Sequence, residues 1–197
     1  GKPYHAGMAA SNGIEAAKLS KLGFVSREDG IECDQGFFLT HGWDKKIPTR
    51  AIENLGTDFL FPEIKYKFHA CCHGLHSFLE ALEELKQENN FNPESIEEIA
   101  IETNPSWLKV CNIQEPKTGL ESKFSYKLTA AMSIYGKDTA DLGTYNDDIC
   151  FDDRINNIRD KVKVIPNDQL SNTQSLISIK DGSRDIKNKH DLSDKID

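Results

Sequence analysis

Leu75, Leu79, Leu82 and Leu85 recur at helical spacing with charged residues between them, which predicts a helix from Leu75 to Gln87 with one buried stripe. Ile99, Ile101 and Thr103 instead alternate with Glu98, Ala100 and Glu102, the pattern of a half-buried strand with one wet face. Asn92-Pro93 breaks the chain between them. A second helix is predicted from Ser122 to about Tyr135, with Phe124, Leu128, Ala131 and Tyr135 along one face and Gly136 as its stop. A third, from Asp152 to about Lys161, starts on an Asp cap and runs into a strand at Val162–Ile165. Ile64–Phe68 reads as a short strand. Ser175–Ile179 and Ser183–Lys187 flank Asp181-Gly182, a two-residue hairpin turn.

The first third of the chain has a different texture. Ala6–Leu22 is Ala-rich, with Ala10, Ile14 and Ala17 on one helical face and Gly23 placed as the residue after the helix. A face of small residues allows close approach of another helix, as in a larger helical array. Ser26-Arg27-Glu28-Asp29 is read as the cap of one further turn, and Gly36-Phe37-Phe38-Leu39 as a buried loop or short strand. From His41 to Phe61 the period is lost, with Pro48, Gly56 and Pro62 as punctuation, so a junction is placed near Pro62. The expected fold is α+β: residues 1–62 as a piece of an all-helical domain, 63–190 as a small α+β domain with a mainly antiparallel sheet, and 191–197 as a polar tail.

Composition narrows the function. With 197 residues, 38% apolar and 28% charged, the chain can bury a core. Its unbroken apolar runs are a few residues long, against the roughly 20 needed to cross a bilayer. The formal charge of −8 argues against nucleic acid, whose phosphates require a basic surface. Five cysteines, two of them adjacent, suit reduced thiols in the cytoplasm better than a disulfide framework. The start at Gly1 and the polar stretch from Asp185 to Asp197 read as the ends of a piece of a longer protein.

Two basic clusters stand out in this acidic chain. Lys2, Tyr4 and His5 come just before the Ala-rich helix, where free N–H groups and the helix dipole favour an anion; the plainer alternative is two exposed side chains in water. Lys65, Lys67, His69, Cys71, Cys72, His73 and His76 place three of the six histidines within one short segment ahead of a helix. Three chemistries compete there. His69, Cys72 and His76 could bind zinc, although the paired spacing of a second element is missing. A cysteine could act as nucleophile with a histidine as base, although adjacent cysteines are as often buried apolar fillers. Lys67 and the histidines could also grip carboxylates and move protons.

Lys2-Pro3-Tyr4-His5-Ala6-Gly7-Met8-Ala9-Ala10-Ser11-Asn12-Gly13-Ile14-Glu15-Ala16-Ala17 resembles the K-P-x-H-x-G-x-A-A-x-x-G-x-x-A-A segment of the MmgE/PrpD family. Lys67-Phe68-His69-Ala70-Cys71-Cys72-His73-Gly74-Leu75-His76 is similar to that family's K-x-Y-P-x-C segment with its following histidine, with His69-Ala70 where an aromatic and a proline are common. Lys123-Phe124-Ser125-Tyr126 resembles the opening of its late helix, and Val162-Lys163-Val164 the strand after it.

The resemblance implies a cofactor-independent enzyme with a large helical domain, a smaller α+β domain and an active site in the cleft between them. Its reactions are dehydration of methylcitrate-like tricarboxylates, decarboxylation of cis-aconitate and epimerisation of an iminodisuccinate-type dicarboxylate. By carry-over, Lys2, Lys67 and His5 are the catalytic candidates; Lys2, Lys67, His76 and Cys72 are the substrate-binding ones. No metal or organic cofactor is implied. A lyase is favoured over an epimerase, with a non-catalytic remnant or a zinc-binding module as alternatives. The resemblance further implies that the chain is inactive alone, lacking the helical half that carries other catalytic residues, and that the complete enzyme is a homodimer taking a small polycarboxylate.

Overall fold

A computed structural model describes residues 1–42, 53–182 and 184–193, apart from the side chain of residue 63. Pro48 and much of the stretch between His41 and Phe61 fall outside these residues, as do Ser183 and the end of the polar tail. The chain divides into two compact units, Gly1–Ile64 and Lys65–Asp197.

In the first unit, α1 spans Lys2–Lys21 and stops before Gly23, whose φ of +80° suits the left-handed turn that ends a helix. The helix starts earlier than the pattern predicted, so Lys2 and His5 lie inside its first turns and not ahead of it. Pro3 permits this: near the helix start its missing N–H has no intrahelical partner to lose, and its fixed φ is already helical. Every residue of α1 is exposed, including the small-residue face. The expected cap at Ser26–Asp29 opens no helix; residues 28–35 form successive turns. The expected loop or strand at Gly36–Leu39 is a single helical turn, α2 (Phe37–Thr40). The chain doubles back there because the amides of Phe37 and Phe38 donate to the carbonyls of Gly30 and Ile31. Gly36 sits so close to these carbonyls that a Cβ would lie 2.7 Å from that of Gly30.

The second unit is α+β. Its helices are α3 (His76–Glu88), α4 (Pro105–Leu108), α5 (Gly119–Ser122), α6 (Tyr126–Ile134) and α7 (Asp153–Asp160). Its strands are β1 (Ile96–Thr103), β2 (Val162–Pro166), β3 (Gln174–Asp181) and β4 (Arg184–Asp191), in the order β2-β1-β3-β4. The β1–β2 pair is parallel and the other two pairs are antiparallel. Register follows the apolar alternation: Ile99 lies between Val162 and Ile179, and Ile101 between Val164 and Ile177. That row meets α3, whose Leu75–Leu85 stripe is buried as predicted, while α6 packs on β2, α3 and α7.

Three local expectations change. Ile64–Phe68 is not a strand, because its alternation finds no neighbouring strand to pair with. The Ser122–Tyr135 helix is broken at Lys123–Ser125: the Ser125 hydroxyl accepts from the amide of Leu128 and caps α6, while the amide of Ile113 donates to the Phe124 carbonyl. In the hairpin Asp181 pairs with Arg184, so the turn lies one residue later than predicted, with Gly182 at φ +58°.

Candidate functional site

Residues 65–75 form an irregular loop pinned to distant parts of the second unit before α3 begins. The amide of Ala70 donates to the Thr139 carbonyl at 2.9 Å, and that of Cys72 to the Lys123 carbonyl at 2.9 Å. The Tyr126 hydroxyl donates to the Gly74 carbonyl at 2.6 Å. Gly74 lies against Trp107 and Cys111 so closely that a side chain would collide with both. Such a loop is held in one conformation by residues the chain supplies 50 to 70 positions later.

Lys67 folds back over the loop, its ammonium donating to the Cys71 carbonyl at 2.9 Å. His76 opens α3 and is only 2% exposed. Its Nε2 is buried without a hydrogen-bond partner, an arrangement that ordinarily costs about 1–3 kcal/mol. Beside it is a cavity of about 430 Å³ lined by Lys65, Tyr66, Phe68, His73, His76 and Leu192. Burial, reinforced by His69, His73 and Lys67, pushes the proton affinity of His76 down to a pKa of about 4. At neutral pH it is an uncharged imidazole.

The sequence candidates thus separate. Lys2 and His5 are exposed on α1 in the first unit. In the second unit Lys67 and His76 lie close enough for the lysine charge to bear on the imidazole. Cys72 anchors the loop through its backbone and neighbours Cys111; neither it nor Lys67 lines the cavity. Sequence reasoning missed Glu80, Thr139, Trp107 and Tyr126. Glu80 carried a usable signal, four residues after His76 and hence on the same helical face, and Tyr126 closes the Lys123–Tyr126 segment that resembles the family; Thr139 and Trp107 carried none.

The competing chemistries fare differently. Among the described residues no three His, Cys, Asp or Glu side chains gather as a metal site. His69 is engaged at both ring nitrogens, by Thr139 at 2.7 Å and Glu80 at 2.9 Å. Burial pushes the Cys71 thiol up to about 12, so it is not a ready thiolate, and the Cys111 thiol is raised further by its neighbour Cys72 and by burial.

Comparison with protein families gives a match to the MmgE/PrpD C-terminal domain over residues 69–191, well over half of the chain. The chain belongs to the MmgE/PrpD family. Comparison with curated proteins gives no match. This family is one of dehydratase-like enzymes, and its C-terminal domain here spans the α+β unit from His69 in the pinned loop to the end of β4. Among the described residues no helix is long and apolar enough to cross a membrane.

Proposed function

We propose that this MmgE/PrpD chain supplies the Lys67 and His76 part of the active site of a cofactor-independent lyase acting on small polycarboxylates. The observation that carries the reading is His76: uncharged at neutral pH, without a partner at Nε2, at the start of a helix and beside a cavity. Elimination or decarboxylation next to a carboxylate moves a proton and builds negative charge on the substrate. A neutral imidazole can accept or return that proton, and a nearby ammonium steadies the charge.

The environment is suited to an anion. Around His76 the lowering effects of His69, His73 and Lys67, with burial, outweigh the raising effect of Glu80. A substrate carboxylate entering among them reverses that balance and raises the proton affinity of the imidazole. The helix dipole at the start of α3 acts in the same sense on an anion. Lys2 and His5, on α1, are proposed as further catalytic groups of the same enzyme.

The test is a titration of the protein with cis-aconitate and with 2-methylcitrate, following the histidine ring signals by NMR. We expect the His76 signals to shift saturably and to move to a higher titration midpoint with either ligand. His76 signals that stay still at millimolar carboxylate would remove the residue from the site.

A further inference from the structure

We propose that His69 is a positioning residue for His76: an imidazole fixed at both ring nitrogens that holds the His76 ring in place at the cavity edge. This rests on the reading of His76 as a residue that meets the substrate. His69 is only 7% exposed. Its Nε2 lies 2.9 Å from Oε1 of Glu80 and its Nδ1 lies 2.7 Å from Oγ1 of Thr139. A carboxylate only accepts hydrogen bonds, so Nε2 carries the proton and donates it. The bond in turn holds the Glu80 carboxyl below its usual range.

Both anchors are themselves fixed. Glu80 stands one turn after His76 on α3, so the helix sets the separation of the carboxylate from the ring it helps to place. The Thr139 carbonyl accepts from the amide of Ala70, next to His69, and from the Tyr145 hydroxyl at 3.0 Å. A ring held this way cannot turn about its χ angles without breaking a buried hydrogen bond.

His69 meets His76 edge-on, with ring centres 5.1 Å apart and planes at 77°. That is the favourable geometry for two flat rings. His73 approaches from elsewhere at 5.4 Å and is itself against Trp107, but among the described residues no side-chain hydrogen bond anchors it in the way His69 is anchored. The charges bearing on His76 are therefore His69, His73 and Lys67 on one side of the balance and Glu80 on the other, with Lys65 on the wall of the same cavity. His69 is the one of these that touches both the ring and its own counter-charge. A buried polar link with no further role would lend stability and leave His76 alone; a positioning residue must alter how His76 takes up a proton.

The decisive measurement is the NMR pH titration of His76 in His69→Gln and His69→Phe. Both substitutions remove the imidazole that lowers the proton affinity of His76, and the phenylalanine keeps a ring. We expect the His76 midpoint to rise by roughly half a unit to one unit in each. The acid limb of kcat against pH should move by the same amount, with KM little changed. A midpoint unaltered in the folded variants overturns the proposal. Failure of the underlying reading is separable, since in that case carboxylates leave His76 unmoved while its coupling to His69 remains.

Discussion

The Tyr126 hydroxyl reaches across the second unit to donate a 2.6 Å hydrogen bond to the carbonyl of Gly74. Tyr126 is fully buried, and its oxygen also lies 3.1 Å from that of Thr103 at the end of β1. One oxygen thus ties α6 to the sheet and to the turn that delivers His73 and His76. Burial and the neighbouring Cys111 raise its proton affinity, so it remains a neutral donor. Tyr126→Phe strands a buried carbonyl, and we expect a loss of about 1–3 kcal/mol in stability by urea denaturation. It should also disturb the His73 and His76 ring signals in NMR spectra.

Gly74 is a second point of close contact. An added Cβ would lie 2.5 Å from the Trp107 ring and 2.9 Å from Sγ of Cys111, and the Trp107 ring is itself held by its Nε1 donating to the Asn172 carbonyl at 2.8 Å. Gly74→Ala is therefore overpacking with little room to yield. A cost of about 1–3 kcal/mol is expected in denaturation, with the Asn172 contact among the first disturbed.

Lys67 and Cys71 make opposite predictions for rate. Lys67→Ala should lose roughly 2–4 kcal/mol of transition-state stabilisation, read as a fall in kcat/KM. Cys71→Ser should change the rate little, since its thiol is buried and protonated. Consistent with that, mass spectrometry after brief alkylation near neutral pH should find Cys33, which is partly exposed, modified ahead of buried Cys71 and Cys111.

His76 sets a pH dependence of stability whose sign follows from its depressed pKa. Free histidine takes up a proton near 6.5, whereas folded His76 does so only at about 4. Between these values the unfolded chain binds a proton that the folded chain refuses, so stability is greatest above the upper value and falls as pH drops toward the lower. The effect is on the order of 2–3 kcal/mol. Urea midpoints measured at neutral pH and near pH 4.5 should differ less in His76→Gln than in the unaltered protein. Glu80, whose carboxyl is also held low, adds a loss of the same sign at still lower pH, present in both.

Elements with a burial pattern of their own were legible in the sequence. The leucines of α3, the alternation of β1 and the Asp152 cap of α7 each read as what they are, because one side of each is buried. Ile64–Phe68 misled because Ile64, Tyr66 and Phe68 alternate with Lys65 and Lys67 as a strand would, and a strand exists only where another chain segment pairs with it. The break before α6 was hidden in the same way: Ser125 is a cap only because the Phe124 carbonyl is drawn off to Ile113. In the site, Lys67 and His76 could be picked out from their motif, and Glu80 from helical spacing. Thr139 could not, standing 70 residues from the ring it holds.

By itself the sequence determined α3, α7, β1 and β2 of the α+β unit, the cluster of basic groups before α3 and the likeness to a family. Periodicity and short motifs are local, and so is the chemistry that they specify. Which nitrogen lies buried without a partner, which imidazole is tied to Glu80 and Thr139, and why His76 is uncharged at neutral pH were decided by tertiary structure alone. Protonation depends on burial and on charges across space, and those distances exist only once α3, α6 and the loops between them have packed.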